Sequence, residues 1–189
     1  AGRIVMGVSA VVFSLGSLAL VRSLALPPGA VLAGFILAAG ASVVWSVAYV
    51  SPDLLVAWLM VLAMARMASP SWLAQRNSAV LAGLLWGLAY LAKAVAFPLA
   101  LGISVSLAGL WLLGQRGAGR VIRRQFATTS LVFLLVAAPW MGVLSVKYGA
   151  LTFSTSARIA HAVAGPPDVE RYHPTMRTFH RPEPGRLTS

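Results

Sequence analysis

Long runs of apolar residues, each closed by charge, proline or glycine, fill most of the chain. Runs of roughly 17–25 such residues match the length of a transmembrane helix, and the pattern predicts six of them. The first covers 4–21 and stops at Arg22; the second covers 29–50, after the Pro27-Pro28 break. A third opens at Ser51-Pro52-Asp53, continues through 54–64 and ends near Arg66, which is short for a span. From 79 to 113 the chain is apolar except for Lys93. As one helix rising about 1.5 Å per residue, that stretch would overshoot a core of roughly 30 Å. Two spans meeting near Lys93 are therefore expected, with Pro98 kinking or starting the second. The sixth run, 126–146, contains Pro139. Beyond Lys147 the character changes, with His161, Asp168, Glu170, His173, His180 and Glu183 interspersed with prolines. The expected architecture is thus an all-α integral membrane bundle of about six transmembrane helices over residues 1–146. A loop-rich polar segment, 147–189, follows it.

Short loops rich in lysine and arginine favour the cytoplasmic side. The segment 115–125 holds Arg116, Arg120, Arg123 and Arg124 with no acid, and is placed inside. One further span then puts the C-terminal segment on the extracytoplasmic side. Counting backwards, Arg22, Arg66 and Arg76 also fall inside, whereas Arg3, Asp53 and Lys93 fall outside. Lys147 and Arg158, close to the last span on the outer side, run against this bias.

Composition narrows the choices further. Hydrophobic residues make up 59% of the chain and charged residues 10%, against about 25% charged in soluble domains. A net charge of +11 would suit a nucleic-acid partner, but the basic residues lie between apolar runs or in the tail, where membrane topology explains them better. No nucleic acid is expected, and membrane lipid is the implied surrounding. The absence of cysteine rules out disulfides, thiol nucleophiles and Cys-based metal sites within the chain. The chain begins Ala1-Gly2-Arg3 and ends in a proline-rich stretch, from which an internal piece of a longer protein, incomplete at both ends, is expected.

Two ionisable residues stand out. Asp53 is the first acidic residue and the next is Asp168; Lys93 is the first lysine and the next is Lys147. Both are predicted at span ends on the same outer face. Ionisable groups at a bilayer are costly and often mark a site. The alternatives are structural: Asp53 can offset the macrodipole of a helix capped by Ser51 with Pro52 in its first turn, and Lys93 can snorkel to the headgroups. A compact ammonium at the interface also suits a phosphate. Gly83 and Gly87 form a small-xxx-small pair suited to close helix packing. Trp45, Tyr49, Trp72, Trp140 and Tyr148 sit near span ends, as interfacial anchors do. The histidines at 161, 173 and 180 lack the helical i, i+4 spacing of a zinc motif. No cofactor is evident and a divalent metal is unsupported. Neither a phosphate-cradling GxxxxGK[ST] loop nor a GxSxG elbow occurs.

Ser51-Pro52-Asp53-Leu54-Leu55 and Gly87-Leu88-Ala89-Tyr90-Leu91-Ala92-Lys93 resemble the "TPD-LL" and "GLAFLTKG" stretches of the GT-C superfamily of membrane glycosyltransferases, which includes protein O-mannosyltransferases and lipid A aminoarabinose transferases. The resemblance covers about residues 30–150. It implies a polyprenyl-phosphate sugar as donor, an active site facing away from the cytoplasm, Lys93 meeting the lipid phosphate, and Asp53 lying near the site. There are departures: Ala94 stands for the glycine after the lysine, and Ala92 for the threonine before it. The family's catalytic acid lies in the first external loop, and no such loop is present here. That loop is expected to precede Ala1, leaving the catalytic residue of this chain unknown. The segment from Lys147-Tyr148-Gly149 to Arg158, His173 and His180 is also similar to a post-span loop of bacterial members, without residue roles. The expected activity is transfer of a sugar from polyprenyl phosphate to an extracytoplasmic acceptor, with inversion. A transporter, a lipid-linked-oligosaccharide flippase and a non-catalytic membrane subunit are the alternatives.

Overall fold

A computed structural model describes residues 2–48, 52–115 and 117–155. Those residues form seven helices and no strand: α1 (Gly2–Ser23), α2 (Pro28–Ala48), α3 (Asp53–Ala68), α4 (Pro70–Ala74), α5 (Arg76–Ala92), α6 (Ala96–Gly114) and α7 (Gly119–Tyr148). Four of them, α1, α2, α6 and α7, are long and apolar enough to cross a membrane. The two others that match expected spans are shorter, α3 with 16 residues and α5 with 17. They measure only about 24–26 Å at 1.5 Å per residue. The helices fall into two compact units, Ala1–Ala138 and Pro139–Ser189, which divide within α7 at Pro139.

Helix boundaries follow local chemistry. Ser69-Pro70 ends α3, because proline biases the preceding residue away from the helical region; Ser69 is extended and its hydroxyl accepts from the Ser71 N–H at 3.3 Å, capping the unforeseen turn α4. Pro98 lies in the first turn of α6, where backbone N–H groups lack helical partners in any case. The expected basic loop is largely helical. Only 115–118 separate α6 from α7, and Arg120, Arg123 and Arg124 lie in the first turns of α7. Arginine is a good helix former, so nothing after Gly119 interrupts the helix. At 30 residues, α7 is longer than the roughly 20 that cross a bilayer core.

Within Ala1–Ala138 the helices run up and down. Met6 and Ala10 of α1 cluster with Leu54, and Gly16 faces Leu62, so α1 and α3 are parallel. Gly34 of α2 faces Val21, and the Ser14 and Ser42 hydroxyls lie 3.1 Å apart, making α2 antiparallel to α1. Val56 and Leu59 pack with Ala89 and Ala96, which sets α5 antiparallel to α3. The consequence is a separation of charge. Arg22, Arg66, Arg76, Arg120, Arg123 and Arg124 lie at helix ends on one side, and Asp53, Lys93 and Arg3 lie on the other.

The interior is polar where the exterior is apolar. In α2, Ser42 is buried while Leu37, Val44 and Val47 are more than two-thirds exposed, a distribution suited to lipid rather than water. Apolar contact drives little helix association in lipid, so close packing and polar contacts must supply it. Met67 collects three of these contacts: the Trp86 and Trp111 indole N–H groups donate to its sulfur (3.5 Å) and its carbonyl (2.8 Å), and the Ser104 hydroxyl also donates to the sulfur at 3.5 Å. Trp72 is not the interfacial anchor its sequence position implies. It is fully buried, donating to Thr129 Oγ1 at 3.2 Å, while the Thr129 hydroxyl donates to the Ala79 carbonyl at 3.2 Å. The turn α4 folds Trp72 inward, whereas Trp45 and Trp140 are exposed. Tyr49 lies outside the described residues.

Gly83 and Gly87 press α5 against α7. A Cβ on Gly83 would lie 2.5 Å from the Thr129 carbonyl oxygen, and one on Gly87 would lie 2.5 Å from Val136 Cβ. Within Pro139–Ser189, the rest of α7 ends at Gly149, whose φ of +63° is the left-handed conformation that terminates helices. The Thr152 N–H then donates to Ser145 Oγ at 3.0 Å. His161, His173, His180, Asp168, Glu170 and Glu183 lie outside the described residues. Gly87→Ala is expected to destabilise the protein by about 1–3 kcal/mol, the usual cost of overpacking. Gly102→Ala, where the space is open, should raise stability slightly, alanine being the better helix former. Thermal unfolding in detergent compares the two, and equal melting temperatures would refute the tight α5–α7 contact.

Candidate functional site

Asp53 is the first residue of α3. Pro52 is the N-cap and makes no side-chain capping bond; Ser51, expected as the cap, lies outside the described residues. Lys93 ends α5. Its backbone is extended, its N–H donates to the Ala89 carbonyl at 2.9 Å, and its own carbonyl accepts from the Ala96 N–H at 3.0 Å. Residues 93–95 alone join α5 to α6, so the position of Lys93 is held by two helices.

Antiparallel packing of α3 on α5 brings these ends together, and the Lys93 ammonium donates to Asp53 Oδ1 in an ion pair. The two residues are 40 apart in sequence. Their proximity comes from the small contact around Val56, Leu59 and Ala89, with Leu55, Trp58 and Leu85 at its edge. Lysine and aspartate side chains retain 44% and 36% of their accessibility, so a ligand can reach both. Asp53 is the one acidic residue among the described residues, and the two described lysines are Lys93 and Lys147.

An ammonium has three donor directions, and a pair this exposed contributes only about 0–1 kcal/mol to stability. The Coulomb gain is therefore too small to account for the fold, and the ammonium remains able to bind an incoming anion such as phosphate. The two expected site residues thus form one feature. Trp58, about 7 Å further along α3, was missed by sequence reasoning. Its indole nitrogen is buried without a hydrogen-bond partner, and nothing in the sequence separates it from the other tryptophans. The histidines and remaining acids of the tail lie outside the described residues, so no role in this site is assigned to them.

Comparison of the chain with family models, with curated proteins and with solved structures gave no match.

Asp53→Asn removes both the ion pair and the first-turn acid that offsets the α3 macrodipole, whereas Lys93→Gln removes the pair alone. Asp53→Asn should therefore cost more, by about 0.3–1 kcal/mol, and neither should exceed about 2 kcal/mol. Unfolding of both variants and of the double variant measures the coupling. A coupling energy well above about 1 kcal/mol would make the pair a structural element of the fold.

Proposed function

We propose that the chain is part of a multi-pass membrane glycosyltransferase that moves a sugar from a polyprenyl-phosphate donor to an acceptor on the non-cytoplasmic side. Lys93 binds the donor phosphate, and Asp53 positions Lys93. The observation that carries this reading is the accessible Asp53–Lys93 ion pair at the helix ends opposite the described arginines other than Arg3. The motif resemblance around Pro52-Asp53 and Gly87–Lys93 supplies the reaction type.

All six long helices span the membrane in this reading. For α3 and α5, the support is that each carries arginine at one end and Asp53 or Lys93 at the other, as its longer neighbours require of its direction. Their modest shortfall against a 30 Å core is accommodated by local thinning and by flanking residues, at a cost of a fraction of a kcal/mol per Å. Excess arginine marks the cytoplasmic side, which orients the Asp53–Lys93 end and the segment after α7 outward.

In the transfer, an acceptor hydroxyl oxygen attacks the anomeric carbon as the bond from that carbon to the phosphate oxygen breaks. The electron pair of the broken bond stays with the departing polyprenyl phosphate, and the configuration inverts. The acceptor proton passes to a base that no residue described here is assigned to be. Lys93 stabilises charge gathering on the phosphate, and the adjacent carboxylate holds the ammonium at the junction of α5 and α6.

In the native protein, Lys93→Ala should lower kcat/KM for sugar transfer by about 10²–10³-fold, the range found for loss of one group that stabilises transition-state charge, while the variant inserts and unfolds like wild type. Asp53→Asn should give a smaller loss with normal expression. Full transfer activity in Lys93→Ala would remove that residue from the mechanism. Loss confined to the expression of Asp53→Asn would leave the carboxylate a structural role. Movement of the sugar lipid across vesicle membranes without transfer would replace the enzyme by a flippase.

A further inference from the structure

A second feature lies at the arginine-bearing ends. A groove of about 260 Å³ runs between the C-terminal half of α6 and the start of α7. Its floor is Ala108 and Ile122, both buried, with Gly109 opening it, since a Cβ there would meet nothing within 4 Å. Leu112 and Phe126 form its sides, and Arg123 is the one charged residue in its lining. The antiparallel course of the two helices puts Arg123 and Leu112 at the outer end, and the apolar length runs from there toward the middle of the bundle.

We propose that this groove is a binding site for an anionic phospholipid, with an acyl chain along the groove and the headgroup phosphate on the Arg123 guanidinium. The inference does not depend on glycosyl transfer. It rests on charge and on the shape of the groove. Arg120, Arg123 and Arg124 are exposed and crowd the first turns of α7. Asp53, the one acid among the described residues, is held by Lys93 at the opposite ends. Cations at a helix N-terminus run against the macrodipole, so an anion beside them offsets two unfavourable terms at once. Guanidinium suits phosphate through paired N–H donors. Both helices are apolar enough to lie in the bilayer, where such lipids are the abundant anions. A neighbouring groove of similar size, about 270 Å³ and lined by Leu24, Leu107, Trp111 and Gln115, has no charged residue to pair with a headgroup.

The test is native mass spectrometry of the detergent-purified protein titrated with phosphatidylglycerol or with phosphatidylcholine of the same chains. Wild type should prefer phosphatidylglycerol, and Arg123→Gln should reduce that preference about fivefold, which corresponds to roughly 1 kcal/mol for one basic residue near anionic lipid. Gly109→Leu, which fills the groove and keeps the charge, should weaken the adducts of both lipids. Arg22→Gln, which removes an arginine outside this groove, should change nothing. Equal affinity for the two lipids in wild type, or an effect of Arg22→Gln as large as that of Arg123→Gln, would reveal diffuse attraction and overturn the site. Displacement of phosphatidylglycerol by inorganic phosphate alone would overturn it as well.

Discussion

The close approach of α5 to α7 is the constraint on which the rest of the structure depends. In lipid, apolar side chains gain little by leaving the bilayer for one another, so helices hold together through van der Waals contact and internal polar bonds. Gly83 and Gly87 let the α7 backbone come near enough for both. At this separation Thr129 reaches the Ala79 carbonyl and receives the Trp72 indole, and Gln125 donates to the Leu73 carbonyl at 3.3 Å. The other side of α5 is then free to pack on α3 through Ala89, while Trp86 reaches Met67. A helix of 17 residues thus becomes the most buried of the long helices.

That arrangement fixes the sites as well. Because α3 and α5 are antiparallel and similar in length, the start of one meets the end of the other, and Asp53 and Lys93 become neighbours. The same geometry gathers the described arginines other than Arg3 at the opposite ends. Basic charge is therefore concentrated by helix direction and length, and the one carboxylate among the described residues, Asp53, lies at the other ends. The accessible ion pair and the arginine-lined groove are two results of one up-and-down packing. They call for different ligands: a phosphate within reach of an ammonium at one side, and a lipid headgroup with its chain at the other.

Much of this was legible in the sequence, because the bilayer imposes a length and a polarity that each segment must meet on its own. Apolar runs gave the helices, the Pro27-Pro28 break separated the first two, and arginines marked shared ends. The Gly83/Gly87 spacing identified a contact face. Errors came where local signals compete. Four arginines in 115–125 looked like a loop, yet arginine is a good helix former and α7 begins at Gly119. Trp72 beside a span end looked interfacial, yet a five-residue turn carries it into the core.

The sequence by itself determined that the chain is helical and apolar, where most of its helices begin and end, and which ionisable residues stand apart. Those properties depend on side-chain chemistry within a few turns. Only tertiary structure decided that Asp53 and Lys93 touch, that Trp58 has a buried nitrogen with no partner, and that a groove ending at Arg123 opens between α6 and α7. The physical reason is that partners 40 residues apart are set by which helix faces pack, and a run apolar on every side does not encode which face that will be.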